Sequence, residues 1–116
     1  MRTINRAVAI IKPKQPYLEW ARTVPDPIDV SLDELRQDCT AVLLPDVAND
    51  IEAEAYLRTI YQEIFTVELA AWDTDADDWP QVHDYATFRA WFDIELHSLV
   101  LDSVKTPIRR EQYEPG

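Results

Sequence analysis

The chain of 116 residues contains a single glycine, at position 116. Glycine supplies the tight turns and the close backbone approach by which dinucleotide-binding folds and P-loops hold phosphate groups. A glycine-rich phosphate loop therefore cannot be built from this sequence. We expect no nucleotide-binding fold of either kind, and no cofactor.

The size and composition predict a single acidic α+β domain spanning residues 1–116. This length is close to the commonest size of one domain. Hydrophobic residues make up 47% of the chain, which excludes an intrinsically disordered protein. The lone Cys39 cannot form an internal disulfide, and no apolar run approaches the roughly 18 residues of a membrane helix. A cytoplasmic location is the expectation.

The formal net charge of −11 is distributed unevenly. Residues 1–22 hold five basic groups and one acid, whereas residues 23–104 hold nineteen acids and three basic groups. An acidic surface repels nucleic acids and anionic membranes, so neither is expected as a partner. The charge favours either simple solvation with internal pairing, or attraction of a basic protein.

Two short apolar runs predict strands, at residues 6–11 and 40–44. Each is followed within two residues by a proline, and each reads as a strand covered on both faces. Short helices are predicted between them, one ending near residue 22 and one opening on the capping box Ser31 to Glu34. The order suggests a βαβ unit, and antiparallel pairing of the two strands is the alternative.

The second half of the chain predicts two long helices. Apolar residues recur at helical spacing from about residue 49 to 72, and again from about 84 to 104. The predicted fold is therefore α+β, a short two- to three-stranded sheet packed against two long C-terminal helices. Residues 107–113 are predicted as an edge strand or a loose end.

Two strings in the chain carry a resemblance, RAVAIIKPKQPYLEW at residues 6–20 and WFDIELHSLV at residues 91–100. Together with LLP at residues 43–45 and DWP at 78–80, they resemble a family of small acidic bacterial proteins that has no established role. The resemblance covers most of the chain. It implies a bacterial origin, and it assigns no activity and no functional residues.

An acidic cluster offers one candidate metal site. Asp73, Asp75 and Asp77 occupy positions 1, 3 and 5 of a twelve-residue calcium loop, and Asp84 occupies position 12. Asp78 stands where such a loop needs glycine, and Pro80 interrupts its second half. A solvated acidic turn is the favoured interpretation, and no metal is expected.

Three side chains are the weak candidates for catalysis. On the predicted helices, Glu68 and Glu95 point to the margins of apolar faces, where burial would raise their pKa values. His97 follows Asp93 and Arg89 at four-residue spacing, which predicts a ladder of surface ion pairs, or two ligands to a metal. Structural pairing of both glutamates is the favoured interpretation, and no catalytic residue is assigned.

Two further groups are candidate binding residues. Lys12 and Lys14 lie between a strand end and a helix start, where they could hold an anion or neutralise nearby acids. Trp72, Trp79 and Trp91 could cluster near the connection between the long helices and form a docking patch, or be ordinary core. Cys39 is expected to be a small core residue, because neighbouring Asp38 disfavours its thiolate.

The sequence therefore predicts no specific activity. The favoured hypothesis is a non-catalytic protein-interaction or regulatory module, with a protein, and in particular a basic one, as partner. One alternative is a small enzyme or metal-dependent protein using Glu68, Glu95 and His97. The other is an acidic mimic of nucleic acid or an inhibitor of a basic protein. A homodimer is compatible with all three.

Overall fold

A computed structural model describes residues 1–27 and 29–114. In those residues the chain has an α+β fold. Its elements are β1 (Arg2–Thr3), β2 (Arg6–Pro13), α1 (Gln15–Ala21), α2 (Leu32–Leu35), β3 (Thr40–Pro45), α3 (Asp50–Ala70), a 3-10 turn (Ala76–Asp78), α4 (Tyr85–Trp91), β4 (Phe92–His97) and β5 (Leu101–Asp102).

β2 is the central strand of a three-stranded antiparallel sheet of order β3-β2-β4. Ala9 at its middle pairs with Val42 of β3 and with Leu96 of β4. Buried and half-buried residues alternate along β2, so one face of the sheet is covered and the other is open. The predicted strands are confirmed, but the expectation that both faces are covered is wrong.

The predicted βαβ unit is also wrong, because β2 and β3 pair antiparallel. Ile11, near the end of β2, lies opposite Thr40, the first residue of β3. The chain therefore re-enters the sheet beside the end of β2 that it left. The predicted capping box of α2 is present, with Ser31 and Glu34 bonding reciprocally.

The long helix α3 covers the closed face of the sheet. Asn49 caps its start by accepting a hydrogen bond of 2.9 Å from the Glu52 amide. Its buried side begins with Ala53 and Leu57 and continues with Ile64, Phe65 and Leu69. This helix is confirmed close to its predicted bounds.

The prediction of a second long helix is wrong. Asp84 caps α4, which ends at Trp91, and the next six residues form β4 on the free edge of β2. From Phe92 to His97 apolar and polar residues alternate, so Phe92 faces the core while Glu95 faces outward. That period of two fits a strand, and pairing satisfies backbone groups of β2 that a helix would leave open.

β1 and β5 extend the β2–β4 pair as a two-stranded ribbon. Four residues separate Thr3 from Val8, whereas only three separate their partners, Leu101 and His97. The extra residue lies between the two sheets, where the Ile4 amide donates to the Val100 carbonyl at 3.1 Å. Residues 103–114 follow the ribbon without helix or strand, so the predicted edge strand does not form here.

Aromatic rings join the helices to the sheet. Phe92 lies 5.4 Å from Phe88 and 5.0 Å from Tyr17 between ring centroids, and Phe65 packs edge-on to Phe92 at 5.8 Å. Such tilted and edge-on pairs add to the free energy gained by burying the rings. The α3–α4 contact is reinforced by the Arg89 guanidinium, which donates to Glu54 at 2.6 Å.

Phe92→Ala should lower the free energy of unfolding by about 3–5 kcal/mol, because it empties a fully buried ring site shared by β4, α1, α3 and α4. His97→Ala, at the exposed end of the same strand, should change it by less than about 0.5 kcal/mol. Urea denaturation would measure both. If β4 were the continuation of a helix exposed at Phe92, the two variants would behave alike.

Candidate functional site

A groove of about 310 Å³ runs between the outer edge of β3 and the helix α3. β3 is an edge strand, and among the residues described its ladder partner is β2 alone. The groove is mainly apolar, with a single carboxylate at its rim. Its lining residues are Thr40, Val42, Leu43, Tyr56, Ile60, Glu63, Ile64 and Val67.

The helix side of the groove follows from the spacing of α3. Tyr56, Ile60, Glu63 and Val67 recur every three or four residues, so they form one ridge beside the buried face. Three of them are half-buried, while Glu63 is exposed. The ridge therefore presents apolar surface to the strand edge and one acid to solvent.

The direction of α3 relative to β3 determines which helix residues lie at each end of the groove. Asp50 and Ala53, early in α3, line a cavity of about 190 Å³ together with Ala7 of β2. Ile64 and Val67, late in α3, meet Thr40 at the start of β3. Since Ala7 pairs with Leu44 near the end of β3, the helix runs antiparallel to that strand.

Glu68 lies beside the Thr40 end of the groove and is only 8% exposed. Its burial was predicted from the sequence and is confirmed. Burial raises the pKa of Glu68, and hydrogen bonding with the Thr40 side chain offsets part of that rise. Its Oε1 atom is buried, and no group among the described residues hydrogen-bonds to it. These features favour a protonated carboxyl group over a charged one.

Tyr17 and Cys39 lie near Glu68. The Tyr17 hydroxyl donates to the backbone carbonyl of Glu68, and its burial together with the Glu68 charge raises the pKa of Tyr17. Burial also raises the pKa of the Cys39 thiol, whose Sγ lies 3.4 Å from the Arg36 carbonyl oxygen. Both groups stay protonated near neutral pH and supply no nucleophile.

Glu95 and His97 lie on the open face of the sheet, away from Glu68. The His97 Nε2 atom is 3.1 Å from the Glu95 carboxylate, and Lys12 approaches the same carboxylate at 3.7 Å. Hydrogen bonding from His97, followed by the Lys12 charge, lowers the pKa of Glu95. The sheet separates this pair from Glu68, because α3 packs on the opposite face. The three catalytic candidates are therefore not brought together.

The predicted Arg89–Asp93–His97 ladder is wrong, because residues 92–97 form a strand. Asp93 instead pairs with Arg36 at 3.3 Å, across the open face. Among the two candidate anion-binding lysines, Lys12 is engaged by Glu95, while the Lys14 amide donates to the Trp91 carbonyl at 2.8 Å.

The acidic turn is organised by its own hydrogen bonds. Asp73 and Asp75 each accept from the amide two residues later at 3.0 Å, and Asp84 accepts from the Thr87 amide at 2.8 Å as a helix cap. Hydrogen bonding with Asp73 and the neighbouring negative charges raise the pKa of Asp78 to about 6. Within the described part of the chain, no three Asp, Glu, His or Cys side chains converge as metal ligands.

Two tryptophan side chains hydrogen-bond to backbone carbonyls of the acidic turn, and that of Trp20 links the turn to α1. The Trp79 indole donates to the Asp73 carbonyl at 2.7 Å, and the Trp20 indole donates to the Asp78 carbonyl at 3.0 Å. Trp91 packs against Phe65 with ring centroids 5.6 Å apart. Trp72, Trp79 and Trp91 are all half-buried and pack against the same hydrophobic core.

Sequence reasoning missed the groove. The signal was present in Tyr56, Ile60 and Val67, which widen the apolar stripe of α3 beyond what one sheet face covers. Recognising it required knowing that β3 is an edge strand, and strand order is a tertiary property.

Comparisons with protein-family models, with curated proteins and with solved structures found no match. The helices of the described residues are all too short or too polar to cross a membrane.

Glu68→Gln should change how stability depends on pH. Because the folded-state pKa of Glu68 is raised, the contribution of Glu68 to wild-type stability is greatest below the ordinary glutamate pKa of 4.5 and is lost as pH rises through the folded-state value. The amide cannot ionise, so the variant should lack this loss and equal or exceed wild type at neutral pH. Thermal denaturation across pH would measure it.

Glu68→Ala serves as the control, since it also removes the charge but leaves a cavity and should be less stable than Glu68→Gln at every pH. Parallel pH profiles for wild type and Glu68→Gln would contradict a raised pKa at this site.

Proposed function

We propose that the chain is a non-catalytic protein-interaction module that binds an extended, basic segment of a partner. The observation that carries this proposal is the apolar groove beside the outer edge of β3, where the described residues place no further strand. An extended segment can add to such an edge through its backbone, while alternate side chains enter the adjoining pocket.

The shape of the groove supports an extended occupant. Alternate residues of the six in β3 direct their backbone groups away from β2, although Pro45 has no N–H, and the ridge of α3 lies beneath the position of the next strand. Side chains on one face of an added strand would therefore contact Tyr56, Ile60 and Val67. Addition of the strand would also shield Leu43, which is 47% exposed, from water.

The charge of the domain supports a basic occupant. Glu63 stands at the rim of the groove, and residues 23–104 carry nineteen acids against three basic groups. Opposite charges increase the rate of encounter and exclude acidic competitors. A segment that alternates apolar and basic residues meets both requirements.

The placement of the catalytic candidates weighs against the enzyme hypothesis. Glu68 is buried behind the covered face, whereas Glu95 and His97 are paired on the open face. A reaction that used all three would need them within reach of one substrate atom.

Binding of short labelled peptides, measured by fluorescence anisotropy, tests the proposal. A peptide of alternating valine and lysine should bind, and one of alternating valine and glutamate should not. Methylating alternate backbone nitrogens of the binding peptide removes its edge hydrogen bonds and should abolish binding.

Leu43→Gln should weaken the binding about tenfold, because roughly 1.4 kcal/mol of apolar contact is lost from the groove. Leu101→Gln is the matched control, since Leu101 is 48% exposed on β5, outside the groove lining, and it should leave binding unchanged. Equal affinity of Leu43→Gln and wild type, or undiminished binding of the methylated peptide, would refute strand addition at β3.

A further inference from the structure

The segment 103–114 is exposed along its whole described length. Val104 is 61% and Ile108 60% exposed, and the segment follows β5 without regular structure. Its described hydrogen bonds amount to one, from the Val104 amide to the Asp102 carboxylate at 2.9 Å. The segment therefore presents apolar side chains to water without packing against its own domain.

The sequence of this segment has the pattern of a strand. Val104, Thr106 and Ile108 are β-branched and fall on one face at a spacing of two residues. Lys105, Pro107 and Arg109 fall on the other face, and Pro107, which has no N–H, fits an added strand where its nitrogen faces away from β3. This alternation of apolar and basic residues is the chemistry that the groove beside β3 is proposed to accept.

We propose that residues 104–110 of one copy of the chain add as an antiparallel strand to β3 of a second copy, and that the exchange is reciprocal. This inference rests on the proposed function, because it names the occupant of the same groove. A reciprocal exchange closes as a two-fold dimer and leaves no free groove for further copies.

The direction in which the segment adds to β3 determines which of its side chains lie beside which groove residues. An antiparallel strand on β3 runs in the same direction as α3, since α3 is antiparallel to β3. With Arg110 beside Glu63, Ile108 lies on the same face about 7 Å earlier, between the levels of Tyr56 and Ile60 on α3. Arg110 thus supplies the counter-charge for the acid at the groove rim.

The position of the β1–β5 ribbon favours binding of the segment to the groove of a second copy over binding to the groove of its own copy. β5 extends the β4 side of the sheet, whereas the groove lies outside β3 at the opposite edge. The chain has its longest extent, 44 Å, against 30 and 27 Å in the other directions. The segment follows a ribbon on the far side of the sheet from its own groove.

Sedimentation equilibrium of the full chain over a wide concentration range tests the proposal. Wild type should form a reversible dimer. Ile108→Gln should weaken the dimer about tenfold, the effect of removing roughly 1.4 kcal/mol of apolar contact. Ile51→Gln is the matched control, since Ile51 is exposed on α3 outside the groove lining, and it should leave the dimer unchanged.

Charge exchange tests the register. Glu63→Arg and Arg110→Glu should each weaken the dimer several-fold, and the double variant should recover most of the lost affinity, because the pair is restored with opposite polarity. Both residues are exposed, so neither single change should affect folding. Failure of the double variant to recover would overturn the proposed pairing of Arg110 with Glu63.

The remaining outcomes also decide the matter. A protein that stays monomeric, yet binds the valine–lysine peptide in a Leu43-dependent way, would overturn the dimer while leaving the proposed function intact. A monomer whose peptide affinity rises on Ile108→Gln would show that the segment covers its own groove instead. A dimer insensitive to both Ile108→Gln and Leu43→Gln would place the interface elsewhere and overturn the exchange.

Discussion

The pairing of β2 on both of its edges is the constraint on which the rest of the structure depends. Ala7, Ala9 and Ile11 turn inward between β3 and β4 and are almost fully buried. These side chains share one hydrophobic core with the buried side of α3 and with the ring cluster around Phe92. Removing either neighbour of β2 would expose backbone groups in the middle of the domain.

A three-stranded sheet built in this way has two edges and one open face, and its two edge strands carry different kinds of side chain. The β4 side carries Asp93, Glu95 and His97 outward in ion pairs with Arg36 and Lys12. Charged side chains on an edge strand discourage pairing with other chains. β3 instead presents Ala41 and Leu43, with an apolar groove beside it. The asymmetry makes β3 the edge suited to accept a strand.

Local signals predicted those parts of the fold that neighbouring residues decide. The capping box at Ser31, the apolar runs of β2 and β3 and the long stripe of α3 were readable because each depends on residues a few positions apart. The strand β4 was misassigned because Phe88 and Phe92 continue a helical stripe, and only the free edge of β2 selected the strand. The burial of Glu68 was predictable from its helical position, whereas the separation of Glu68 from Glu95 was not.

The sequence by itself determined the absence of glycine-rich phosphate loops, the acidic charge, the α+β class and the apolar faces available for burial. Tertiary structure alone decided the strand order, the antiparallel pairing and the position of Glu95 and His97 on the open face. The physical reason is the separation along the chain over which each interaction acts. Capping, periodicity and turn preference act within a few residues, while an edge strand and its groove exist only after segments about twenty to eighty residues apart have packed together.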